Sequence, residues 1–240
     1  MSLCPAGKHS ANLIESTSCT KCRPGRYQDK EGNETCISAL PGQYVDLEGA
    51  ATVSLCPAGK HSANLIESTS CTKCRPGRYQ DKEGNETCIS ALPGQYVDLE
   101  GAATVSLCPA GKHSANLIES TSCTKCRPGR YQDKEGNETC ISALPGQYVK
   151  LEGASGVVRC LKGSRSAKRI ESTSCVPCTP GRYQNEDEQD HCIPAKLGFH
   201  VESPGATEQL PCDPSEYSFN TTTCLRCPAQ TTPNANITAC

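Results

Sequence analysis

The sequence predicts a small disulfide-rich fold, mostly β-hairpin and loop, repeated in tandem into an elongated rod without a single large core. Three observations lead there: the cysteine content, a shortage of large apolar side chains, and a strict internal period. Of 240 residues, 20 are Cys, against 2 Phe, 1 Met and no Trp. Aromatic residues make up 4% of the chain, and the mean hydropathy is −0.51. That is too little apolar bulk for one core of this size to offset the ordering entropy of the backbone. Folds that cannot bury enough apolar surface are held by disulfides instead, which form in oxidising compartments. The 20 Gly and 17 Pro stay below the level of structureless low-complexity chains.

The period sets the order of the elements. Residues 2–52 recur unchanged at 54–104, and residues 2–50 recur again over 106–154 with Lys150 in place of Asp46 and Asp98. A diverged copy follows, and then a shortened one. The expected repeats are 1–52, 53–104, 105–156, 157–208 (diverged) and 209–240 (shortened). Each full repeat reads C-x14-C-x2-C-x13-C-x19, and the last is compressed to C-x11-C-x2-C-x12-C.

A finer period lies inside this one. Segments beginning at Cys19, Cys36 and Val53 run 17, 17 and 18 residues, with Pro24-Gly25, Pro41-Gly42 and Ala58-Gly59 in register. Tyr27, Tyr44 and His61 follow in register as well. Each segment reads as one hairpin. Pro-Gly sets a tight turn, Arg26-Tyr27-Gln28 extends, Asp29 to Asn33 turns, and the chain returns through Thr35 to Cys36. Leu13-Ile14-Glu15 has a helical look but is too short to stand as a helix. Each hairpin can bury only its Tyr, one or two aliphatics and a disulfide against its neighbour, so stacking in a line follows.

Two losses point to the disulfide pattern. The unit C-x2-C-x-P-G-x-Y keeps both cysteines at Cys19/Cys22, but elsewhere they have become Cys36…Ala39 and Val53…Cys56. Ala39 and Val53 are 14 residues apart, the separation of Cys22 and Cys36. Bonded partners tend to disappear together, so the second Cys of one CxxC is expected to bond the first of the next. The expected pairs are Cys4–Cys19, Cys22–Cys36, Cys56–Cys71, Cys74–Cys88, Cys108–Cys123, Cys126–Cys140, Cys160–Cys175, Cys178–Cys192, Cys212–Cys224 and Cys227–Cys240. Where the 39/53 bridge is missing, the rod should bend first, held mainly by Leu40, Tyr44 and Leu47.

Chemistry-bearing residues are few. A redox role for the CxxC pairs needs a βαβ context and a helix N-terminus, and neither is visible. Zinc needs two such pairs at ribbon spacing or a His pair. Adjacent half-cystines of successive bridges are the better account. His9, His61 and His113 read as exposed turn histidines rather than metal ligands. No nucleophile elbow, HExxH or phosphate loop occurs, so the expectation is no catalytic residue, no cofactor and no metal. The formal charge of −2 gives no reason to expect nucleic acid as partner, and no stretch approaches the roughly 18 apolar residues of a membrane span.

Two features point outward. N-x-[ST] occurs at Asn33, Asn85, Asn137, Asn220 and Asn236, where a glycan could be carried on a eukaryotic secretory route. Arg159, Lys162, Arg165, Lys168 and Arg169 fall within 11 residues with no acid among them. That run reads either as a contact for an extracellular protein or glycan, or as a solvated face of a drifting repeat.

The motif Cys19-Thr20-Lys21-Cys22-Arg23-Pro24-Gly25-Arg26-Tyr27…Gly32…Thr35-Cys36 resembles the ephrin-receptor-like cysteine-rich repeat. That repeat sits near the EGF-like and tumour-necrosis-factor-receptor-like modules. Ala39, Val53 and their copies depart from the family pattern, which has a further bridge there. The resemblance implies a noncatalytic extracellular or cell-surface rod, serving as spacer or adhesion segment, with a ligand-binding receptor ectodomain as the alternative. It carries no kinase activity. Met1 stands where Val53 and Val105 stand in later copies, and Cys240 closes a bridge, so the chain reads as a segment of a longer secreted or membrane-anchored protein.

Overall fold

A computed structural model describes residues 3–10, 18–62, 66–114, 118–229 and 231–240. Its contacts divide the chain into two compact units, Met1–Cys108 with Ser114–Cys123, and Pro109–His113 with Thr124–Cys240. Among the described residues there is no helix, and every strand belongs to a two-stranded sheet. The stretch Leu13-Ile14-Glu15 lies outside the described residues.

In the first unit, Arg26–Tyr27 pairs antiparallel with Ile37–Ser38, Gln43–Tyr44 with Ser54–Leu55, and Lys60–Ser62 with Cys71–Lys73. The pattern resumes with Arg78–Tyr79 against Ile89–Ser90 and Gln95–Tyr96 against Ser106–Leu107. In the second unit the same cycle runs from Arg130–Tyr131 against Ile141–Ser142 to Glu216–Ser218 against Cys224–Arg226. Each return strand therefore starts at or just beyond the position of the closing cysteine, which is Val53 and Val105 where that cysteine is absent.

The Pro-Gly turn explains the entry to each hairpin. The Arg26 amide donates to the Arg23 carbonyl at 3.0 Å, and Gly25 takes φ 86° at the third position of that turn. A Cβ on Gly25 would also fall 2.4 Å from the Glu67 carbonyl oxygen of a later hairpin. Glycine is required twice over, by conformation and by close approach.

Backbone hydrogen bonds join consecutive hairpins. The turn amides of Gly7, Gly25 and Gly59 donate to the carbonyls of Gln28, Val45 and Gln80 at 2.7–2.8 Å. The second unit repeats this with Gly129, Gly163 and Gly181 donating to Val149, Gln184 and Val201, each at 2.8 Å. A second rung comes from the tip of each loop. The amides of Gly32, Gly49 and Glu67 donate to the carbonyls of Cys4, Cys22 and Ala39 at 2.7–2.8 Å.

What is buried forms two thin files rather than one large core. One file is the half-cystine at the turn entrance: Cys4, Cys22, Cys56 and Cys74 in the first unit, with Ala39 and Ala91 standing in for the lost cysteines at 0% exposure. The other is the residue after the strand aromatic, in the order Gln28, Val45, Ser62, then Gln80, Val97, Ser114. A buried Gln needs its amide satisfied. Gln28 donates from Nε2 to the Thr35 carbonyl at 2.6 Å and accepts at Oε1 from the Lys30 amide and Asn33 Nδ2. It pins the loop of its own hairpin from within.

The expected hold on the bridge-free segment needs correction. Leu40 and Leu47 are 57% and 67% exposed. Ala39 and Val45 supply the buried contacts, and the Ala39 amide donates to the Gly25 carbonyl at 2.9 Å. Alanine thus keeps the backbone role of the cysteine it replaced. The hydrophobic residues large enough to be noticed in the sequence lie on the surface, because a hairpin two residues wide has room inside only for small ones.

Candidate functional site

Where the third bridge is missing, an ionic clasp closes the gap. Glu67, at a loop tip, takes two arginines and a serine from the hairpins behind it. Arg26 donates from Nε and Nη2 to Oε1 at 2.9 and 2.6 Å, and Ser38 Oγ donates to the same oxygen at 3.0 Å. Arg23 Nη2 reaches Oε2 at 2.7 Å. The next junction repeats it with Arg75, Arg78 and Ser90 on Glu119. The second unit carries it once more, with Arg127, Arg130 and Ser142 on Glu171.

Both faces of the clasp have a physical signature. The Arg26 guanidinium, and after it the Ser38 hydroxyl, hold the Glu67 carboxyl down to about 2. Arg78 with Ser90, and Arg130 with Ser142, lower Glu119 and Glu171 likewise. The backbone meanwhile stands at φ 55°, 56° and 51° at these three glutamates, a region that L-residues avoid. Gly32 and Gly49 occupy the equivalent tip at φ 74° and 77°. At each of these three tips a glutamate in a glycine position has three side chains donating to its carboxylate.

The fourth repeat departs at three of the four members of this set. By the 52-residue period, Arg23 and Ser38 correspond to Thr179 and Pro194; counted back from the closing cysteine of the shortened loop, Glu67 corresponds to Asn220, and only Arg182 keeps its place. Asn220 turns its oxygen onto its own loop, accepting from the Thr222 and Thr223 amides at 2.8 and 2.9 Å. Arg182 donates from Nη1 to the Cys192 carbonyl at 3.0 Å, and no carboxylate meets it among the described residues.

The basic run falls in the same repeat and is partly paired. Arg159 lies 3.4 Å from Glu188, and Arg169 lies 4.0 Å from Asp190. Arg159 and Glu188 replace Leu55 and Gly84, where a Cβ added to Gly84 would lie 3.3 Å from the Leu55 side chain. Two linked changes have placed an ion pair at these neighbouring positions. Arg165 lines a cleft of about 340 Å³ with Thr179, Arg182, Asp190 and His191.

The other residues singled out from the sequence are placed as follows. The structure joins Cys4 to Cys19, Cys22 to Cys36, Cys56 to Cys71, Cys74 to Cys88 and Cys108 to Cys123. It joins Cys126 to Cys140, Cys160 to Cys175, Cys178 to Cys192, Cys212 to Cys224 and Cys227 to Cys240. His9, His61 and His113 are not exposed turn residues. They are half-buried on strands, each with Nδ1 3.0–3.1 Å from a loop carbonyl, of Glu34, Glu86 and Glu138. Asn33, Asn85 and Asn137 donate from Nδ2 to the buried glutamines Gln28, Gln80 and Gln132. Asn220 and Asn236 are exposed. One cluster was missed in the sequence: His200 Nδ1 sits 3.0 Å from Cys224 Sγ, beside Cys212. The two sulfurs are bonded to each other, so they offer no thiolate to a metal.

Closed hairpins of about 17 residues, bonded turn to strand and repeated in tandem, define a cysteine-rich repeat protein. The sequence profile of the tyrosine-protein kinase ephrin type A/B receptor-like family matches residues 7–56, 59–108, 111–160 and 165–212, and the chain belongs to that family. It is 26% identical over 196 residues to the rat sushi, von Willebrand factor type A, EGF and pentraxin domain-containing protein 1, covering 78% of this chain and 5% of that protein. It is 24% identical over 198 residues to the mouse signal peptide, CUB and EGF-like domain-containing protein 2, covering 77% of this chain and 20% of that one. Soluble TNF receptor II of monkeypox virus is 27% identical over 184 residues, 71% of this chain and 43% of the viral protein. The chain therefore spans between 5% and 43% of the length of these relatives. Among the described residues no helix is long and apolar enough to cross a membrane.

Proposed function

We propose that the chain is a noncatalytic extracellular or cell-surface segment that sets distance, a spacer or adhesion rod built from the five repeats 1–52, 53–104, 105–156, 157–208 and 209–240. The observation that carries this reading is the clasp of Arg23, Arg26, Ser38 and Glu67, which recurs with the same partners at the next two copies. Three near-identical junctions suit a device that repeats a step length, whereas a single recognition site needs only one surface. Sequons at Asn33, Asn85, Asn137, Asn220 and Asn236 fit a secreted chain, with the exposed Asn220 and Asn236 the more accessible acceptors.

Solution scattering on the oxidised chain tests this. A globule of this length has a radius of gyration of roughly 18 Å, and a rod gives a value well above it with an extended pair-distance tail. A radius near the globular figure overturns the spacer reading.

A second reading is a ligand-binding receptor ectodomain. The likeness to a viral soluble TNF receptor supports it, as does the fourth repeat, where three clasp residues have changed and five basic residues have entered within 11 positions.

A further inference from the structure

We propose that the fourth repeat binds a sulfated glycosaminoglycan, with one sulfate group seated between Arg165 and Arg182 and the chain running over Lys162, Lys168 and Arg169. The proposal rests on the extracellular reading above.

The first three repeats show what this cleft does with its arginine. Arg26, Arg78 and Arg130 each hold a carboxylate supplied by the chain itself, at 2.6–2.9 Å. The protein thus carries three occupied copies of an anion site. In the fourth copy the occupant has gone: Asn220 stands for the glutamate, and its oxygen is turned onto its own loop. Arg182 is left with one carbonyl acceptor for Nη1, so the rest of its planar donor fork has no carboxylate to meet among the described residues.

A second cation has entered the same cleft. Arg165 replaces the histidine of the earlier copies and lines the cleft with Arg182. One acid, Asp190, lies there too, but it is met by His191 at 2.9 Å and Arg169 at 4.0 Å. Glu171, the only acid between 157 and 174, is held by Arg127 and Arg130 at 2.7 Å. Around the cleft, Lys162 and Lys168 are exposed and hold no ion pair among the described residues, and Arg169 is 85% exposed. Lys162, Lys168 and Arg169 thus line the water-facing side with cations, and Glu171 is turned to its own arginines. The exposed Asp187 stands at the edge of the run, where it accepts from the Lys162 amide at 2.9 Å.

The chemistry of the lining separates a polysaccharide from a folded protein. Protein partners are anchored by aromatic or aliphatic side chains in desolvated pockets, and this cleft offers Thr179, Pro177 and arginine instead. Guanidinium forks match oxyanions of sulfate geometry, and spaced exposed cations suit a polymer that presents an anion at every residue or two.

The test uses the full oxidised chain on immobilised heparin, with binding measured at 0.15 M salt and by the salt needed for elution. The expected result is retention that falls about tenfold or more in affinity in Arg165→Ala/Arg182→Ala, falls less in Arg182→Lys, and is unchanged in Lys60→Ala. Fully desulfated heparin should not compete. Unreduced mass and circular dichroism establish that the variants keep ten bridges and their fold. Undiminished binding in the double arginine variant overturns the site. So does equal competition by a poly-glutamate of matched charge, which assigns the face to an acidic protein. Absence of retention together with an extended scattering profile overturns this inference alone. Retention with a compact profile overturns the spacer reading alone.

Discussion

Two kinds of junction occur along this chain, and they differ in what replaces a lost disulfide. After Ala39, Ala91 and Ala143 a glutamate reaches back to two arginines and a serine. After Ala195, the corresponding position in the fourth repeat, nothing of that set remains except Arg182. The lesson is that interacting residues are lost as a group. Ala39 and Val53 record a vanished bridge in the same way that Thr179, Pro194 and Asn220 record a vanished clasp. What the two junctions share is the backbone ladder: Gly25 donates to Val45 and Gly181 to Val201, both at 2.8 Å.

The largest effect should come from erasing what both junctions depend on. In the chain-entropy model a ring of about 15 residues contributes roughly 3 kcal/mol, and the thin files of buried residues cannot offset the loss of ten such rings. Full reduction should therefore abolish protease resistance at clasped and unclasped junctions alike. Resistance retained at the clasped ones in reductant would mean that the clasp, not the bridge, is the primary tie.

Acid separates the two kinds of junction without touching the sulfur. A carboxylate whose folded pKa is depressed adds stability above its unfolded pKa, and that contribution fades as pH falls through the folded value. For Glu67 the window runs from 4.5 down to about 2, and Glu119 and Glu171 are lowered in the same direction. At pH 6 all three clasps are intact. On acidification toward pH 2, NMR amide shifts of Val45, Val97 and Val149 should move together, while those of Val201 should stay. Coincident movement of Val201 would show that the acid response is not the clasp's.

A single clasp is a smaller perturbation. Glu119→Gln keeps the side-chain shape but removes the charge that meets Arg75 and Arg78. Hydrogen bonds to charged groups are about twice as strong as neutral ones, so exchange of the Glu119 amide with solvent should rise on the order of tenfold. The Arg75 arm, 70% exposed, is screened by solvent and should matter less than Arg78 at 34%. Arg75→Gln giving the larger acceleration would reverse that assignment.

Much of this was legible in the sequence because it is written in spacing. The Cys19/Cys22 interval and the Pro24-Gly25 turn fix hairpins of about 17 residues, and the hairpins are what the structure contains. The clasp was not legible, for a physical reason. Glu67 lies 41 residues from Arg26 in the chain, and its neighbours Ile66 and Ser68 give no sign that it occupies a glycine conformation. Aligning the 17-residue segments would have exposed it, since Gly32, Gly49 and Glu67 fall at the same loop tip. Leu40 and Leu47 misled in the opposite sense: size marked them as core, whereas the space between such narrow hairpins admits only Ala39 and Val45.

The smallest effect sharpens the comparison most. The loop-tip conformation belongs to glycine, and the fourth repeat also places a glutamate there, Glu188 at φ 63°. This one stands opposite the exposed Arg159 at 3.4 Å, with Gln147 as a further donor, and among the described residues no serine and no second arginine meets it. Relief of the left-handed backbone by glycine is worth roughly 1 kcal/mol, and an exposed ion pair is worth about that or less. Glu188→Gly should therefore leave thermal stability unchanged or raise it slightly. Glu171→Gly at the neighbouring clasp gains the same backbone relief but loses the donors of Arg127, Arg130 and Ser142, so it should lower stability. Calorimetry on the two variants reads the sign. If both are stabilised, backbone strain outweighs the clasp everywhere, and the glutamates at 67, 119 and 171 are kept for something other than holding the hairpins together.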